Sequence, residues 1–341
     1  MVSARPVPSG LHALGQKAHS PSSSMRGSRH FGRRRLLASL SATAFGSVLL
    51  ASRPSAAITQ QTIRKTTVED DVTLVSETFG DPDDSPMLLI MGAMASMLWW
   101  PDDFCQELAS QGFFVIRYDH RDTGLSTQYP LGSPPYTISD LAEDAVRILD
   151  DHGISAAHSV AMSLGGMIAQ IIAVTHPDRV LSLSLISTTP IGVDGAELPP
   201  TSHTYLEHLA AARSLDWTNE DDVIEFMVRD ATMLAGDAFP HDARRARDHI
   251  ELDVLRAKNF ANATNHFLLE AGGDWAGALS HVEAPTIVIH GTADPVFPIE
   301  HGERLVAVIN GAQFLRVDGG GHELHPEHFQ DIISAITSVT R

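Results

Sequence analysis

Five short, nearly continuous apolar runs recur along the chain: Met87-Leu88-Leu89-Ile90, Phe113-Phe114-Val115-Ile116, Ala157 to Val160, Val180 to Ile186 and Thr286 to Ile289. Runs of this length read as strands buried on both faces, the situation of a parallel sheet. Between them lie helical periods. Ile138 to Asp150 places Leu141, Ala145, Ile148 and Leu149 on one stripe, with Ser139 positioned to cap the helix and Gly153 closing just beyond. Strands alternating with helices imply a doubly wound α/β sheet covered on both sides. Upstream, Thr62 to Val68 and Val72 to Phe79 alternate around Glu69-Asp70-Asp71 and read as an exposed β-hairpin. The alternation stops near residue 190 and resumes at Thr286. In between are only helix-like stretches, one capped by Thr218 or Asn219 and carrying Val223, Ile224, Phe226 and Met227, another from Asp242 to Lys258. The body therefore reads as an α/β core, 58–189 and 284–341, interrupted by an all-helical cap, 190–283, without internal repeats.

Charge separates the first part of the chain from the rest. Residues 1–57 hold seven Arg, one Lys and no acid, whereas the remainder is strongly acidic and brings the formal net charge to −18. An acidic body repels phosphate backbones and anionic lipid, which argues against nucleic acid as a partner. The early segment runs from a Ser- and Pro-rich stretch through Arg33-Arg34-Arg35-Leu36-Leu37 into an apolar run, Leu36 to Ala51, and ends at Ser55-Ala56-Ala57. That layout is a cleavable export signal of twin-arginine type, processed after Ala57, and implies a periplasmic or secreted protein with no stable membrane insertion after processing. An organelle transit peptide shares the Arg- and Ser-rich, acid-poor composition, and Met25 stands as an alternative start. The single cysteine, Cys105, excludes an intramolecular disulfide and a cysteine-based zinc cluster.

The chemistry is concentrated after three strands. Ala157 to Val160 runs into Ala161-Met162-Ser163-Leu164-Gly165-Gly166 and then a helical period from Met167 to Thr175, the strand, sharp turn and helix of a nucleophile elbow. A serine hydroxyl is a weak nucleophile unless it is held exposed beside a base and facing oxyanion donors. The usual G-x-S-x-G carries Ala161 at its first glycine, the smallest available departure. Downstream, Asp294 follows the run Thr286 to Ile289, and His322 follows the alternating Gln313 to Val317 and three glycines. Ser163, Asp294 and His322 thus occur in the order of a serine triad on this architecture. His325 and His328 compete less well because they lie farther from the strand, and Asp318 because it shares a loop with His322. Oxyanion donors are expected from the backbone amides of Leu164 and Ala93, the latter in a turn that Gly92 permits.

His322-Glu323-Leu324-His325 is one residue short of the zinc-binding H-E-x-x-H, no G-x-G-x-x-G follows a strand, and there is no Walker loop, so neither metal nor cofactor is expected. From about Val72 to Thr337 the chain resembles the α/β-hydrolase superfamily, and within it the aclacinomycin methylesterase-type hydrolases. The resemblance lies in Leu88 to Ala93, Arg117 to Ser126 and the elbow from His158 to Gln170. It implies the α/β-hydrolase fold, a mostly parallel eight-stranded sheet flanked by helices with a helical cap. It also implies a triad on Ser163, His322 and Asp294 with oxyanion amides at Ala93 and Leu164. The Arg117 to Ser126 stretch is read as bracing a loop.

These readings point to a serine hydrolase cleaving carboxylic esters of apolar small molecules through an acyl-enzyme. Lactonase, thioesterase, carbon–carbon hydrolase and cofactor-free perhydrolase chemistry use the same triad, and a non-hydrolysing ligand-binding protein is the alternative outside catalysis. Substrate contacts are expected from Met94, Met162 and Trp99 beside the elbow and oxyanion loop, joined there by Met97, Leu98 and Trp100. Trp217, Phe226, Met227 and Met233 are expected to contribute from the helical segment.

Overall fold

The computed structural model describes residues 62–69 and 71–340; the expected export signal and its expected cleavage after Ala57 lie outside them. Eight strands form one sheet: β1 (Thr62–Glu69), β2 (Val72–Phe79), β3 (Ser85–Ile90), β4 (Phe113–Asp119), β5 (Ala157–Met162), β6 (Val180–Ile186), β7 (Thr286–Gly291) and β8 (Gln313–Val317). Their spatial order is β1-β2-β4-β3-β5-β6-β7-β8, with β2 antiparallel to β1 and β4 and every other pair parallel. The β1–β2 hairpin forms, but β2 is mostly buried rather than exposed, because it also pairs with β4 and so lies inside the sheet.

The continuous apolar runs have a simple cause: successive side chains serve opposite faces. Leu88 and Ile90 pack on one face with α2 (Ile138–Asp151), α3 (Leu164–Thr175) and Leu305 of α7 (Glu300–Val308). Met87 and Leu89 pack on the other with α1 (Asp102–Ser110) and α8 (Phe329–Ser338). Helix α2 starts not with Ser139 as cap but with Thr137, which accepts from the Asp140 amide while the Asp140 carboxylate accepts from the Thr137 amide. The reciprocal pair satisfies two donors that Ser139, one residue inside the helix, cannot reach. Gly165 stands where α3 crosses β3; a Cβ there would lie 2.1 Å from the Ile90 carbonyl oxygen, so only glycine fits.

Between β6 and β7 the chain is helical: α4 (His203–Ala211), α5 (Glu220–Leu234), α6 (Ala243–Arg256) and a 3₁₀ stretch, Phe260–Leu268, with no strand among residues 190–283. Asp242 caps α6, whereas Asn219 makes no capping hydrogen bond at α5. Helices α5 and α6 share a separate apolar cluster of Val223, Ile224, Met227, Ile250 and Val254, against which Met94 and Trp99 of the β3–α1 connection pack. A buried ion pair fastens this segment to the sheet: Arg256 of α6 reaches Asp119, at the end of β4, at 2.8 Å. Asp119 also accepts from the Met97 and Leu125 amides. Nearby, Asp253 accepts from Trp99 Nε1 at 2.8 Å.

Two predictions follow from this packing. Burial pushes the Asp253 carboxyl up to about 6, against the hydrogen bonds from Ser96 and Trp99. The unfolded chain releases that proton near pH 4, so between these values the folded state holds a proton the unfolded state has lost, and stability falls as pH rises through the interval. Asp253→Asn keeps an acceptor for Trp99 without titrating; its melting temperature should exceed that of the parent at pH 7.5, by up to about 3 kcal/mol in stability, and match it at pH 4. Gly165→Ala should cost about 3 kcal/mol through overpacking, read as a lowered melting temperature in calorimetry.

Candidate active site

The carboxyl ends of β3, β5, β6, β7 and β8 come level in the parallel register, with Ile90 beside Ala161, Met162 beside Ile186 and Gly291 beside Val317. The loops leaving this edge carry the residues singled out above. At the end of β5, Ser163 adopts φ 54° and ψ −121°, a left-handed conformation unfavourable for a residue with a side chain. Surrounding hydrogen bonds hold it there: the Ser163 amide donates to the Ile186 carbonyl at 3.0 Å, and the Ser163 carbonyl accepts from Thr188 Oγ1 at 2.7 Å and the Gly166 amide at 2.9 Å. Ser163 sits at the head of α3, yet its hydroxyl makes no capping hydrogen bond. Ala161 is fully buried in the strand, and its methyl group is accommodated there.

The turn after β3 closes on the serine. A Cβ added to Gly92 would lie 3.0 Å from Ser163 Cβ, so the glycine lets the two backbones approach. Among the described residues, neither the Ala93 nor the Leu164 amide donates a hydrogen bond to a protein acceptor. Met94, next in the turn, has φ 64°, and its amide is occupied, donating to His266 Nδ1 at 3.2 Å.

Asp294 and His322 are brought together. His322 Nδ1 donates to Asp294 Oδ2 at 2.8 Å, which fixes the tautomer and leaves Nε2 as an acceptor. The other Asp294 oxygen accepts from the Val296 and Phe297 amides at 2.8 and 2.9 Å. Burial works against ionisation of Asp294, but the charge and hydrogen bond of His322, helped by His290 and the Phe297 amide, outweigh it and hold the carboxyl below its ordinary value. His290, in β7, donates from Nε2 to the Phe297 carbonyl at 2.7 Å and buttresses the same turn. The glycine run before His322 permits close contact with the helical segment: a Cβ on Gly321 would lie 2.2 Å from the Leu234 carbonyl oxygen. That carbonyl, in the last turn of α5, accepts from the His322 amide at 2.8 Å. No hydrogen bond joins Ser163 Oγ to His322 in this structure. The two residues leave strands on the same edge, and such contacts tighten when substrate binds.

Of the competing groups, Asp318 is exposed, and His325 and His328 pack around Phe239 instead. The expected substrate contacts are largely engaged in packing. Met97 and Trp100 are fully buried core residues, and Met162 is buried beneath the elbow against the face that carries α1 and α8. Trp99 bonds Asp253 and meets His249 edge-on, Trp217 donates to the Ala212 carbonyl, and Phe226 stacks on His208 at 4.3 Å. Met94, Trp217, Phe226 and Met227 join the α5–α6 cluster. Leu98 and Met233 are half-buried. The Arg117 to Ser126 stretch is a hub of buried contacts: Arg117 pairs with Glu77, Arg121 forms two 2.7 Å bonds to Asp144, and Asp122 accepts from Tyr136 and Asn265. Among the described residues no group of three or more His, Cys, Asp or Glu is arranged to hold a metal ion, and no helix is long and apolar enough to cross a membrane. His120 and His266 carry no motif of their own in the sequence: one lies within the Arg117 to Ser126 stretch, the other follows Asn265 in the helical segment.

Residues 85–329 match the family described as alpha/beta hydrolase fold. Rhodomycin D methylesterase DauP of Streptomyces sp. (strain C5) is 34% identical over 288 residues, covering 80% of this chain and 96% of the relative. Rhodomycin D methylesterase DnrP of Streptomyces peucetius is likewise 34% identical, over 287 residues, with coverage of 80% and 96%. Among solved structures, the esterase RhEst1 from Rhodococcus sp. ECU1013 superposes with a TM-score of 0.65 at 20% identity, covering 81% of this chain and 99% of its own. The sheet order, the matched family and these relatives agree: the chain belongs to the α/β-hydrolase family, in its aclacinomycin methylesterase-like branch, and is a hydrolase acting on ester bonds.

Proposed function

We propose that the protein is a serine hydrolase that cleaves carboxylic esters of apolar small molecules through an acyl-enzyme, with Ser163 as nucleophile, His322 as base and Asp294 as its orienting acid. The observation that carries this reading is the strained Ser163, its hydroxyl unused by the fold, in contact with a turn that offers the Ala93 amide. The 2.8 Å His322–Asp294 bond on the same sheet edge supports it.

His322 Nε2 takes the hydroxyl proton as Ser163 Oγ forms a bond to the ester carbonyl carbon. The carbonyl oxygen, now negative, is stabilised by the Ala93 and Leu164 amides and by the positive end of α3. Collapse breaks the bond to the alcohol, which leaves with the proton from His322. Water then repeats the sequence on the acyl-enzyme, giving its proton to His322 and releasing the acid. Ionised Asp294 stabilises the imidazolium formed in each half. The methylesterase names of the two relatives favour a methyl ester as substrate.

The direct test uses a fluorophosphonate label and a panel of methyl esters, p-nitrophenyl esters, lactones and thioesters on protein starting at Ile58. Labelling should map to Ser163, and Ser163→Ala should abolish labelling and reduce ester turnover by roughly 10⁶-fold; turnover that survives the substitution excludes the mechanism. Preference for lactones over every simple ester would move the assignment to a lactonase on the same residues. We propose also that residues 1–57 direct export, on the strength of Arg33-Arg34-Arg35, the apolar run that follows and Ser55-Ala56-Ala57. Mass spectrometry of protein recovered from the native cell envelope should then find Ile58 at the amino terminus, and an intact leader on soluble cytoplasmic protein would refute it.

A further inference from the structure

The turn that carries Ala93 is gripped from behind by two histidines. His120, after β4, donates from Nε2 to the Met91 carbonyl at 2.9 Å. His266, from the 3₁₀ stretch of the helical segment, accepts the Met94 amide on Nδ1 at 3.2 Å and donates from Nε2 to the Arg121 carbonyl at 2.8 Å. The two rings meet edge to face at 6.0 Å, and both residues are buried. Met91 and Met94 bracket the pair Gly92-Ala93, so one hydrogen bond fixes each end of the peptide stretch that faces Ser163.

This arrangement has a direct consequence for which amide is free. Met94 has φ 64°, and its N–H is consumed by His266, while the Ala93 N–H donates to no protein acceptor among the described residues. A side chain that only filled space would not dictate peptide orientation; an imidazole with one acceptor and one donor does. Burial keeps His266 neutral by lowering its proton affinity, against the opposing pull of the Arg121 carbonyl and the Asp122 charge, so Nδ1 stays an acceptor. Burial likewise holds His120 down to about 3, with the neighbouring His266 acting in the same direction.

We propose that His266 is a positioning residue for the reaction: by binding the Met94 amide it sets the turn so that the Ala93 amide points to the developing oxyanion. The proposal rests on Ala93 being an oxyanion donor. It assigns the helical segment a part in the transition state beyond any contact with substrate.

The test compares His266→Leu and His266→Gln with the parent on a short p-nitrophenyl ester, with Ser163→Ala assayed alongside and circular dichroism reporting the fold. Affinity for a trifluoromethyl ketone, which forms a hemiketal oxyanion on the serine, reports the donors independently of turnover. His266→Leu should lower kcat by about 10²-fold, the scale of a misplaced catalytic group, leave KM within about threefold, and weaken the ketone by a similar factor to kcat. Gln, with one acceptor and one donor, should restore most of both. Where His266→Leu does not fold, His266→Met carries the same comparison. A folded Leu or Met variant with parental kcat and ketone affinity overturns the proposal, as does a loss confined to KM or one that Gln does not restore. Those results with an inactive Ser163→Ala overturn the positioning role alone; an active Ser163→Ala overturns the serine mechanism and this role with it.

Discussion

The backbone of Ser163 can hold its left-handed conformation only because everything around it is already packed. Gly165 lies against the Ile90 carbonyl, Gly92 against Ser163 itself, and the Ser163 peptide is tied to Ile186 and Thr188. Strain of this kind costs on the order of 1–3 kcal/mol and persists because β3, β5, β6 and α3 over-determine the turn. The rest of the site is arranged around that fixed point: the parallel register brings the ends of β7 and β8 level with it, and their loops deliver an acid and an imidazole to the same edge.

The helical segment is bound to the sheet by chemistry as well as by apolar contact. Arg256 spans to Asp119, Lys258 Nζ donates to the Ser126 carbonyl, and His266 reaches the turn after β3. These three attachments land at the end of β4 and on the connections that follow β3 and β4. Asp119 serves both, since its carboxylate also accepts from the Met97 amide. A buried carboxylate with several donors and a guanidinium is satisfied, whereas removing the guanidinium of Arg256 would leave the buried charge of Asp119 uncompensated.

Much of the fold was legible because its signals are local. A strand buried on both faces writes an unbroken apolar run, and Val180 to Ile186 appears in the structure with those same bounds. Ser163 and Asp294 stood out as candidates because each follows such a run, and His322 because it follows the alternating Gln313 to Val317 and three glycines. The burial of β2 was not, since pairing with β4, 40 or so residues away, leaves no mark within the strand's own alternation. Thr137 displaced Ser139 as a cap because helix ends are the least determined part of a periodic pattern. The aromatic and methionine residues beside the elbow illustrate a deeper limit. The sequence shows that Trp99, Trp217, Phe226 and Met227 are apolar, but only packing distinguishes residues that fasten two layers from residues that face a ligand. His266 was invisible for a related reason: its partner is a backbone amide, and backbone amides have no sequence.

The carbonyl at the end of α5 that receives the His322 amide sets a boundary on modular exchange. Segments inserted at this point of a fold are attractive units for recombination, because their two attachment points lie on adjacent strands, β6 and β7. Here a graft would inherit an obligation. Whatever replaces residues 190–283 must offer a main-chain acceptor where Leu234 stands, or the loop bearing the imidazole loses one of its anchors although none of its own residues has changed. Chimeras built by matching only the junctions are therefore expected to fold around an intact sheet and still misplace the base.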